Sequence, residues 1–297
     1  MARYKGHLSS YDTWTRTLRP LDWSRLKRAD KWLARLRSLV SEIDGGAVVE
    51  KFYPELPIVQ YALALYQRLQ GTTSDRRAAW LIGPTGIGKT AACRYIARQN
   101  PKDATYIKVD STMRDSGLNI CIGIAKALGC TYYSHSLGKT FRAITEHLKA
   151  HHQTIIVDEA HEGGVSLLKM IKTWIDETPA RFLITTWPSA WAKLITGNTE
   201  SYSEAQQLLG RSIKPVLRAW SHGLRIDDIT AYLRADTPLA DDAPALATRL
   251  HGTVRTLGYR ALVDAIEAAR DEADQSDSEL TSKLIYDLTQ EVADVSL

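Results

Sequence analysis

The sequence has few cysteines and no long apolar segment, and each of these absences excludes a class of protein. Its three cysteines, Cys93, Cys121 and Cys130, have no metal-ligand spacing and cannot all pair with one another. Each falls in a helical apolar pattern, so we expect them to fill the core of a protein from a reducing compartment. No apolar run approaches the ~20 residues of a membrane-spanning helix, and Met1 to Ser10 lack the apolar stretch of a secretory signal. These features favour a cytoplasmic globular protein without a membrane partner.

The charge is unevenly distributed along the 297 residues, whose net charge is +4. Residues 1–50 hold ten basic and six acidic residues, residues 51–223 hold 21 and 13, and residues 224–297 hold seven and 15. The three segments therefore carry +4, +8 and −8. A basic body favours a polyanionic partner such as nucleic acid, and solvated surface charge is the alternative explanation.

The most specific motif is a phosphate-binding loop of the pattern G-x-x-x-x-G-K-[ST]. Its glycines let backbone N–H groups turn toward a polyphosphate, Lys89 can reach the β- and γ-phosphates, and the Thr90 hydroxyl can hold Mg²⁺. An apolar run at 78–82 precedes the loop and a helical pattern at 89–99 follows it, which is the context the motif requires. We predict that a nucleotide is bound by Gly83, Pro84, Thr85, Gly86, Ile87, Gly88, Lys89, Thr90 and the following Ala91.

A second acidic motif follows another apolar strand, at residues 154–157. Asp158 is predicted to hold Mg²⁺ and Glu159 to orient the attacking water, and a solvated acidic turn is the alternative. His161 is either a local polar contact or a sensor of the γ-phosphate. The string 158–161 also occurs in one helicase class, but the chain after residue 190 is too short for the second sheet domain that those helicases need.

The order of predicted elements gives the fold class. Strands are predicted at 78–82, 105–109, 154–157 and 181–185, and helices at 89–99, 116–128, 139–150, 165–177 and 203–210. This alternation predicts an α/β fold with a parallel sheet, in which the strand at 181–185 lies beside the strand ending at Asp158. We expect its end, at Thr185 and Thr186, to place a hydroxyl near the γ-phosphate or the attacking water, unless these hydroxyls satisfy local backbone groups.

Three domains are predicted from these patterns and from the charge. Residues 1–50 contain a basic amphipathic helix, and residues 51–223 form the nucleotide-binding core. From 227 onward the patterns are helical, at 227–235, 242–251, 254–272 and 278–293, so residues 224–297 form a small all-helical lid with an acidic tail.

In the order of these motifs the chain resembles the AAA+ ATPases. Within Gly252–Leu257, Arg255 resembles the arginine of the lid's sensor 2 motif, which reaches back to the nucleotide. Arg211, at the end of Leu208–Arg211, resembles an arginine finger that enters the neighbouring subunit's site, with Arg218 as the second candidate. The resemblance implies ATP hydrolysis with Mg²⁺, in which Lys89, Glu159 and Arg211 are catalytic. For each arginine a surface ion pair is the alternative.

Within that superfamily, residues 50–270 are most similar to the transposition ATPases, namely the Mu-type phage transposition protein B and the TnsC-like regulators. This resemblance implies a ring or helical filament that ATP assembles on duplex DNA, without sequence preference, to select or activate target DNA for a transposase. Backbone phosphates would then be contacted by Lys108, Arg114, Lys139 and Arg142. The alternatives are a replication or helicase-loading ATPase and an ExeA-like ATPase that remodels protein and does not bind DNA.

Overall fold

The computed structural model describes residues 53–114, 116–130, 135–196, 200–213 and 223–296. The predicted N-terminal helical segment at 1–50 and the second arginine-finger candidate, Arg218, lie outside the described residues. From Tyr53 onward the chain forms one compact unit.

A four-stranded parallel sheet organises this unit. Its strands are β1 (Ala78–Ile82), β2 (Ala104–Lys108), β3 (Thr154–Asp158) and β4 (Arg181–Thr186). Their order is β1-β4-β3-β2, which confirms both the parallel α/β fold and the predicted neighbourhood of β4 and β3. The register pairs Ile82 with Thr186 and Lys108 with Asp158, so the predicted phosphate loop and the predicted carboxylates emerge at the same edge. We call this the carboxyl edge, and the opposite one the amino edge.

Helices cover the sheet on both faces, so that β1 and β3 are buried along their whole length. The flanking helices are α1 (Pro57–Gln70), α2 (Lys89–Gln99), α3 (Gly117–Ala127), α4 (Leu137–Ala150), α5 (Gly164–Glu177), α6 (Pro188–Thr196) and α7 (Glu200–Gly210). Trp80, Trp174 and Phe182 are among the largest fully buried side chains of the core. Cys93 and Cys121 are buried, as expected, whereas Cys130 is only half-buried and packs against the core.

The described chain after residue 223 is helical, as predicted. It consists of α8 (Ile226–Asp236), α9 (Ala243–Leu257), α10 (Tyr259–Gln275) and α11 (Ser282–Ser296). The predicted break near residue 252 is wrong, because α9 continues through Gly252 to Leu257 and ends at Gly258, which has φ +79°. A glycine inside a helix costs about 1 kcal/mol but is tolerated, whereas a positive φ cannot continue a helix.

Helix α6 has no counterpart among the sequence-based predictions. It begins with Pro188, two residues after β4 ends, and proline is favoured at the first position of a helix. None of the helices in the described residues is long and apolar enough to cross a bilayer.

Candidate nucleotide site

The segment between β1 and α2 forms a tight loop at the carboxyl edge. Gly86 and Gly88 have φ of +81° and +92°, a backbone conformation that residues with a Cβ rarely adopt. Gly88 is the residue that caps the N-terminus of α2. The loop therefore directs the free N–H groups at the start of α2 toward one point, where an anion is favoured by both hydrogen bonding and the helix dipole.

Lys89 is buried inside this loop, with only 4% of its surface exposed. Its Nζ donates to the backbone oxygens of Gly83 and Pro84, at 2.8 Å each. Burial lowers the pKa of Lys89, against the nearby carboxylates of Glu159 and Asp158, which raise it. A buried ammonium held by two carbonyls fits a phosphate ligand, because phosphate oxygens are stronger acceptors for a charged donor.

Asp158 is fully buried at the end of β3 and accepts hydrogen bonds from three hydroxyl groups. Thr90 Oγ1 and Tyr106 Oη donate to Oδ2 at 2.8 and 2.9 Å, and Thr185 Oγ1 donates to Oδ1 at 2.6 Å. Thr90 and Asp158 are the predicted Mg²⁺ ligands, and the structure brings them into direct contact. Their oxygen atoms are the donor type that Mg²⁺ prefers, so the pair fits the ion.

Tyr106 is a site residue that the sequence analysis missed. Burial and the charge of Asp158 raise the pKa of its phenol, which therefore stays protonated and donates. Only the pairing of β2 with β3 brings the two side chains together, since 52 residues separate them along the chain. A tyrosine inside a predicted strand gives no separate signal of such a role.

Glu159 has a left-handed backbone conformation, with φ +56°. Such a conformation costs a non-glycine residue of the order of 1–3 kcal/mol, and it concentrates at functional sites. The Glu159 N–H donates to Thr185 Oγ1 at 2.9 Å, which holds the strained turn in place. Glu159 thus leaves the pleat of β3, so that its side chain does not simply point opposite to that of Asp158.

The two threonines at the end of β4 have different roles. The Thr185 hydroxyl donates to Asp158 and accepts from the Glu159 N–H, so it satisfies a local backbone group, which was the alternative explanation. Thr186 is 1% exposed, and within the described residues its Oγ1 has no hydrogen-bond partner. Its carbonyl accepts from Gly83 N at 3.2 Å, which places the residue against the loop. A buried hydroxyl without a partner fits a ligand oxygen or an ordered water.

The junction of α9 and α10 packs directly on the phosphate loop. Tyr259 N donates to the Gly86 carbonyl at 2.9 Å, and a Cβ added to Gly258 would lie 2.8 Å from the Gly86 carbonyl carbon. Arg255 is exposed in the last turn of α9, three residues before this contact. The helical segment therefore contacts the candidate site, while the sensor 2 role of Arg255 stays a prediction.

Arg211 lies at the amino edge, far from the loop of its own chain. Its carbonyl accepts from Ala78 N, at the start of β1, whereas the loop follows the end of β1, about 15 Å away at the usual rise of a strand. Its guanidinium binds Asp176 through Nε and through Nη2, the latter at 2.8 Å, and Nη1 donates to the Gln207 carbonyl at 2.9 Å. An arginine-finger role is therefore possible only toward a second copy, and it stays a prediction.

The four predicted DNA contacts are exposed. Lys108 ends β2, Arg114 follows a short 3-10 turn at Ser111–Met113, and Lys139 and Arg142 lie on α4. Within the described residues, only Arg114 among them forms an ion pair, with Glu162. Their exposure permits contact with a polyanion, and their role stays a prediction.

Comparison with known proteins assigns this region to a family. Residues 72–194 match the family described as AAA domain, and the match includes the phosphate loop, Asp158 and Glu159. This part of the chain is therefore similar to AAA domains. No curated protein sequence matches the chain significantly.

Solved structures extend the likeness of the fold beyond that segment. Cdc6p from Pyrobaculum aerophilum is similar with a TM-score of 0.58 and 16% identity, over 85% of this chain and 71% of that chain. The Orc1 protein of Aeropyrum pernix, solved in complex with DNA, is similar with a TM-score of 0.52 and 19% identity, over 84% of this chain and 67% of that chain. Identities this low show the shared AAA+ fold alone. Neither comparison confirms the closer resemblance to transposition ATPases.

Proposed function

We propose that this protein is an ATPase that binds ATP and Mg²⁺ at the carboxyl edge of its sheet and binds duplex DNA in the ATP state. One observation supports the proposed ATP hydrolysis. The buried Lys89, the Thr90–Asp158 pair and Glu159 converge at one edge of the sheet from two segments about 70 residues apart. These are the groups that phosphoryl transfer to water needs.

The geometry supports a role for each of these groups. Lys89 and the N–H groups at the start of α2 hold the phosphates, and Thr90 with Asp158 would hold Mg²⁺, which neutralises phosphate charge when bound. The Glu159 carboxylate accepts a proton from the attacking water, and Thr186 Oγ1 donates to that water or to the γ-phosphate. The charge that develops in the transition state is stabilised by Arg211 of a second copy, since Arg211 is far from its own loop. Hydrolysis would therefore depend on assembly into a ring or filament.

Duplex DNA is the partner that charge and fold favour. Residues 51–223 carry 21 basic and 13 acidic residues, and Lys108, Arg114, Lys139 and Arg142 are exposed. The similar Orc1 fold was solved in complex with DNA. Since the two similar folds named above are those of Cdc6p and Orc1, a replication or loader-type client is better supported than the transposase that the sequence resemblance implied.

Duplex affinity measured with ATP, with ADP and without nucleotide, over a series of salt concentrations, tests this function. We expect duplex binding to be tight only in the presence of ATP. The logarithm of that affinity should fall steeply and linearly with the logarithm of the salt concentration, because phosphate contacts release counterions. The Lys89→Ala variant should lose the ATP dependence. Weak, salt-insensitive binding in every nucleotide state would instead favour an ATPase that remodels protein.

Electron microscopy with a slowly hydrolysed ATP analogue distinguishes the transposition-type hypothesis from the replication-type hypothesis. A continuous filament along long duplex DNA supports the transposition type and its sequence-tolerant coating. Discrete oligomers at separated positions support the replication type. Monomers under both conditions would contradict the assembly on which the trans role of Arg211 depends.

A further inference from the structure

Three side chains connect the carboxylate of Glu159 to the surface of the protein. His161 Nε2 lies 3.3 Å from Glu159 Oε2 and 3.6 Å from Glu162 Oε1. Glu162 in turn forms an ion pair with Arg114, whose side chain is 59% exposed. The His161 ring packs against Trp187, with ring centroids 4.1 Å apart, which keeps the imidazole beside the two carboxylates. We call these residues, Arg114, Glu162, His161 and Glu159, the relay.

His161 has a single proton to offer and two acceptors for it. Its side chain is only 10% exposed, and burial lowers its pKa, against the two glutamates, which raise it. The ring is therefore neutral at pH 7 and carries one N–H. Within the described residues neither ring nitrogen has a partner in hydrogen-bond geometry, although Nε2 faces both carboxylates.

A buried N–H without an acceptor costs about 1–3 kcal/mol, so a small movement that pairs it with one of the carboxylates is favoured. The two acceptors are not equivalent. The charge of Glu162 is compensated by the Arg114 guanidinium, whereas the described residues give the Glu159 carboxylate no cation in ion-pair contact besides the titratable His161. While Arg114 holds Glu162, the stronger acceptor for the His161 N–H is therefore Glu159.

We propose that the His161 Nε2–H is shared between Glu159 and Glu162, and that Arg114 decides which of them receives it. With Arg114 paired to Glu162, His161 binds Glu159 and withdraws its carboxylate from the attacking water. When a backbone phosphate of duplex DNA binds Arg114, Glu162 loses its cation, competes for the proton donor and releases Glu159. The relay thus makes ATP turnover respond to the DNA partner. This inference rests on the ATPase function proposed above, whose site it regulates.

Two variants that break the same ion pair distinguish this relay from a structural role. Arg114→Ala leaves Glu162 charged and uncompensated, so basal turnover should rise roughly tenfold, the worth of one hydrogen bond to a charged group, and duplex DNA should add little. Glu162→Gln removes the competing charge, so turnover should stay at the low basal level with or without duplex. A purely structural ion pair predicts the same direction for both variants.

His161→Ala removes the donor itself. It should resemble Arg114→Ala, with raised basal turnover and no response to duplex. In each of these variants the dissociation constant of ATP should stay within about twofold of that of the unmodified protein, because none of them alters the phosphate loop. Lys149→Ala and Glu146→Gln serve as controls, since they break an exposed ion pair of 3.0 Å on α4 outside the relay, and we expect no change of turnover from either.

The measurement is steady-state ATP turnover at saturating ATP, with and without a short synthetic duplex, together with the melting temperature of each variant. A raised basal turnover of Arg114→Ala, together with a low turnover of Glu162→Gln that duplex does not raise, supports the relay. The same change of turnover in both variants, or a duplex response retained by His161→Ala at an unchanged melting temperature, overturns it. If His161→Ala melts early, the comparison of Arg114→Ala with Glu162→Gln still decides. Absence of turnover in the unmodified protein would contradict the proposed function instead.

Discussion

At the carboxyl edge of the sheet, buried polar groups lie against the phosphate loop. At the amino edge, polar side chains form hydrogen bonds between a helix and the sheet. Lys89 and Thr186 at the first edge are almost fully buried and lie against the loop, and Glu159 there has a strained backbone. At the second edge Arg77 donates to the carbonyls of Ile175 and Thr178, and Arg211 binds Asp176. Both arginines thereby fasten the C-terminal end of α5 to the sheet.

The difference teaches how function can be located in such a fold. Within the described residues, the buried Thr186 Oγ1 without a partner and the strained backbone of Glu159 mark the edge where a ligand is expected. At the amino edge the Nε atoms of Arg77 and Arg181 are also buried without a partner, but both guanidinium groups donate to backbone carbonyls through their other nitrogens. Parallel strands that begin at one edge and end at the other produce this polarity, since all loops that follow the strands meet on one side. The comparison fails if the amino edge also acts on nucleotide, which is the point of the first prediction.

Arg211→Ala is expected to give the largest effect. If Arg211 acts as a finger toward a second copy, turnover should fall roughly a thousandfold, because such an arginine stabilises transition-state charge. Mixing Arg211→Ala subunits with Lys89→Ala subunits should restore part of the activity, because some interfaces then combine an intact loop with an intact arginine. ATP turnover of each variant and of the mixture is the measurement.

An Arg211→Ala protein with a normal rate would refute the finger. Arg211 would then be a structural residue paired with Asp176, and the comparison between the two edges would hold without exception. A loss of turnover that mixing does not relieve, accompanied by early melting, would assign the loss to stability.

Glu159→Gln should lower turnover by roughly a hundredfold or more, since positioned proton acceptors contribute about that much. Binding of ATP should be retained, because the amide keeps the shape of the side chain and the loop is untouched. Turnover and the affinity for a fluorescent ATP analogue are the two readouts. Glu177→Gln, an exposed acid at the end of α5, is the matched control at the amino edge. Near-normal turnover of Glu159→Gln would remove Glu159 from the chemistry.

Gly258→Ala should destabilise the fold by about 2 kcal/mol and weaken ATP binding. The added Cβ would lie 2.8 Å from the Gly86 carbonyl carbon at a positive φ, so the loop or the helical segment must move. Gly129→Ala is the matched control, because Gly129 also has a positive φ but has no atom within 4 Å of the added Cβ.

Denaturant unfolding and ATP titration measure both effects. The control should lose about 1 kcal/mol of stability from backbone strain alone and should bind ATP normally. If both variants bind ATP equally well, the contact between Gly258 and Gly86 has no influence on the candidate site.

Arg77→Ala should have the smallest effect and an entirely structural one. It removes two hydrogen bonds to carbonyls at the end of α5, which we expect to lower the free energy of unfolding by about 1 kcal/mol. ATP affinity and turnover should not change, because Arg77 precedes β1 at the amino edge. A selective loss of turnover at unchanged stability would show that this edge is functional after all.

Much of the fold was predictable because its signals are local. The four strands were predicted within one residue of their observed ends, since short apolar runs between helical patterns are typical of the buried strands of a parallel sheet. Helix α6 was missed, because its nine residues are short for a periodic pattern. The break between α9 and α10 was misplaced by six residues, because the sequence does not reveal which of Gly252 and Gly258 has a positive φ.

The residues of the candidate site were likewise predictable where their signal is local and missed where it is not. The sequence pointed to Lys89, Thr90 and Asp158 because a loop motif and a strand-end acid each lie within a few consecutive residues. It did not distinguish the role of Thr185 from that of Thr186, and it gave no role to Tyr106 or Trp187. Their partners, Asp158 and His161, lie 52 and 26 residues away along the chain.

By itself the sequence determined the phosphate loop, the acids after β3 and the alternation of strands and helices, because each depends on the conformational preferences of neighbouring residues. Only the tertiary structure decided that Arg211 lies at the edge opposite its own loop, that Gly258 packs on Gly86, and that His161 stands between two carboxylates. Those relations depend on strand order and on the packing of helices from distant parts of the chain, which no local preference specifies.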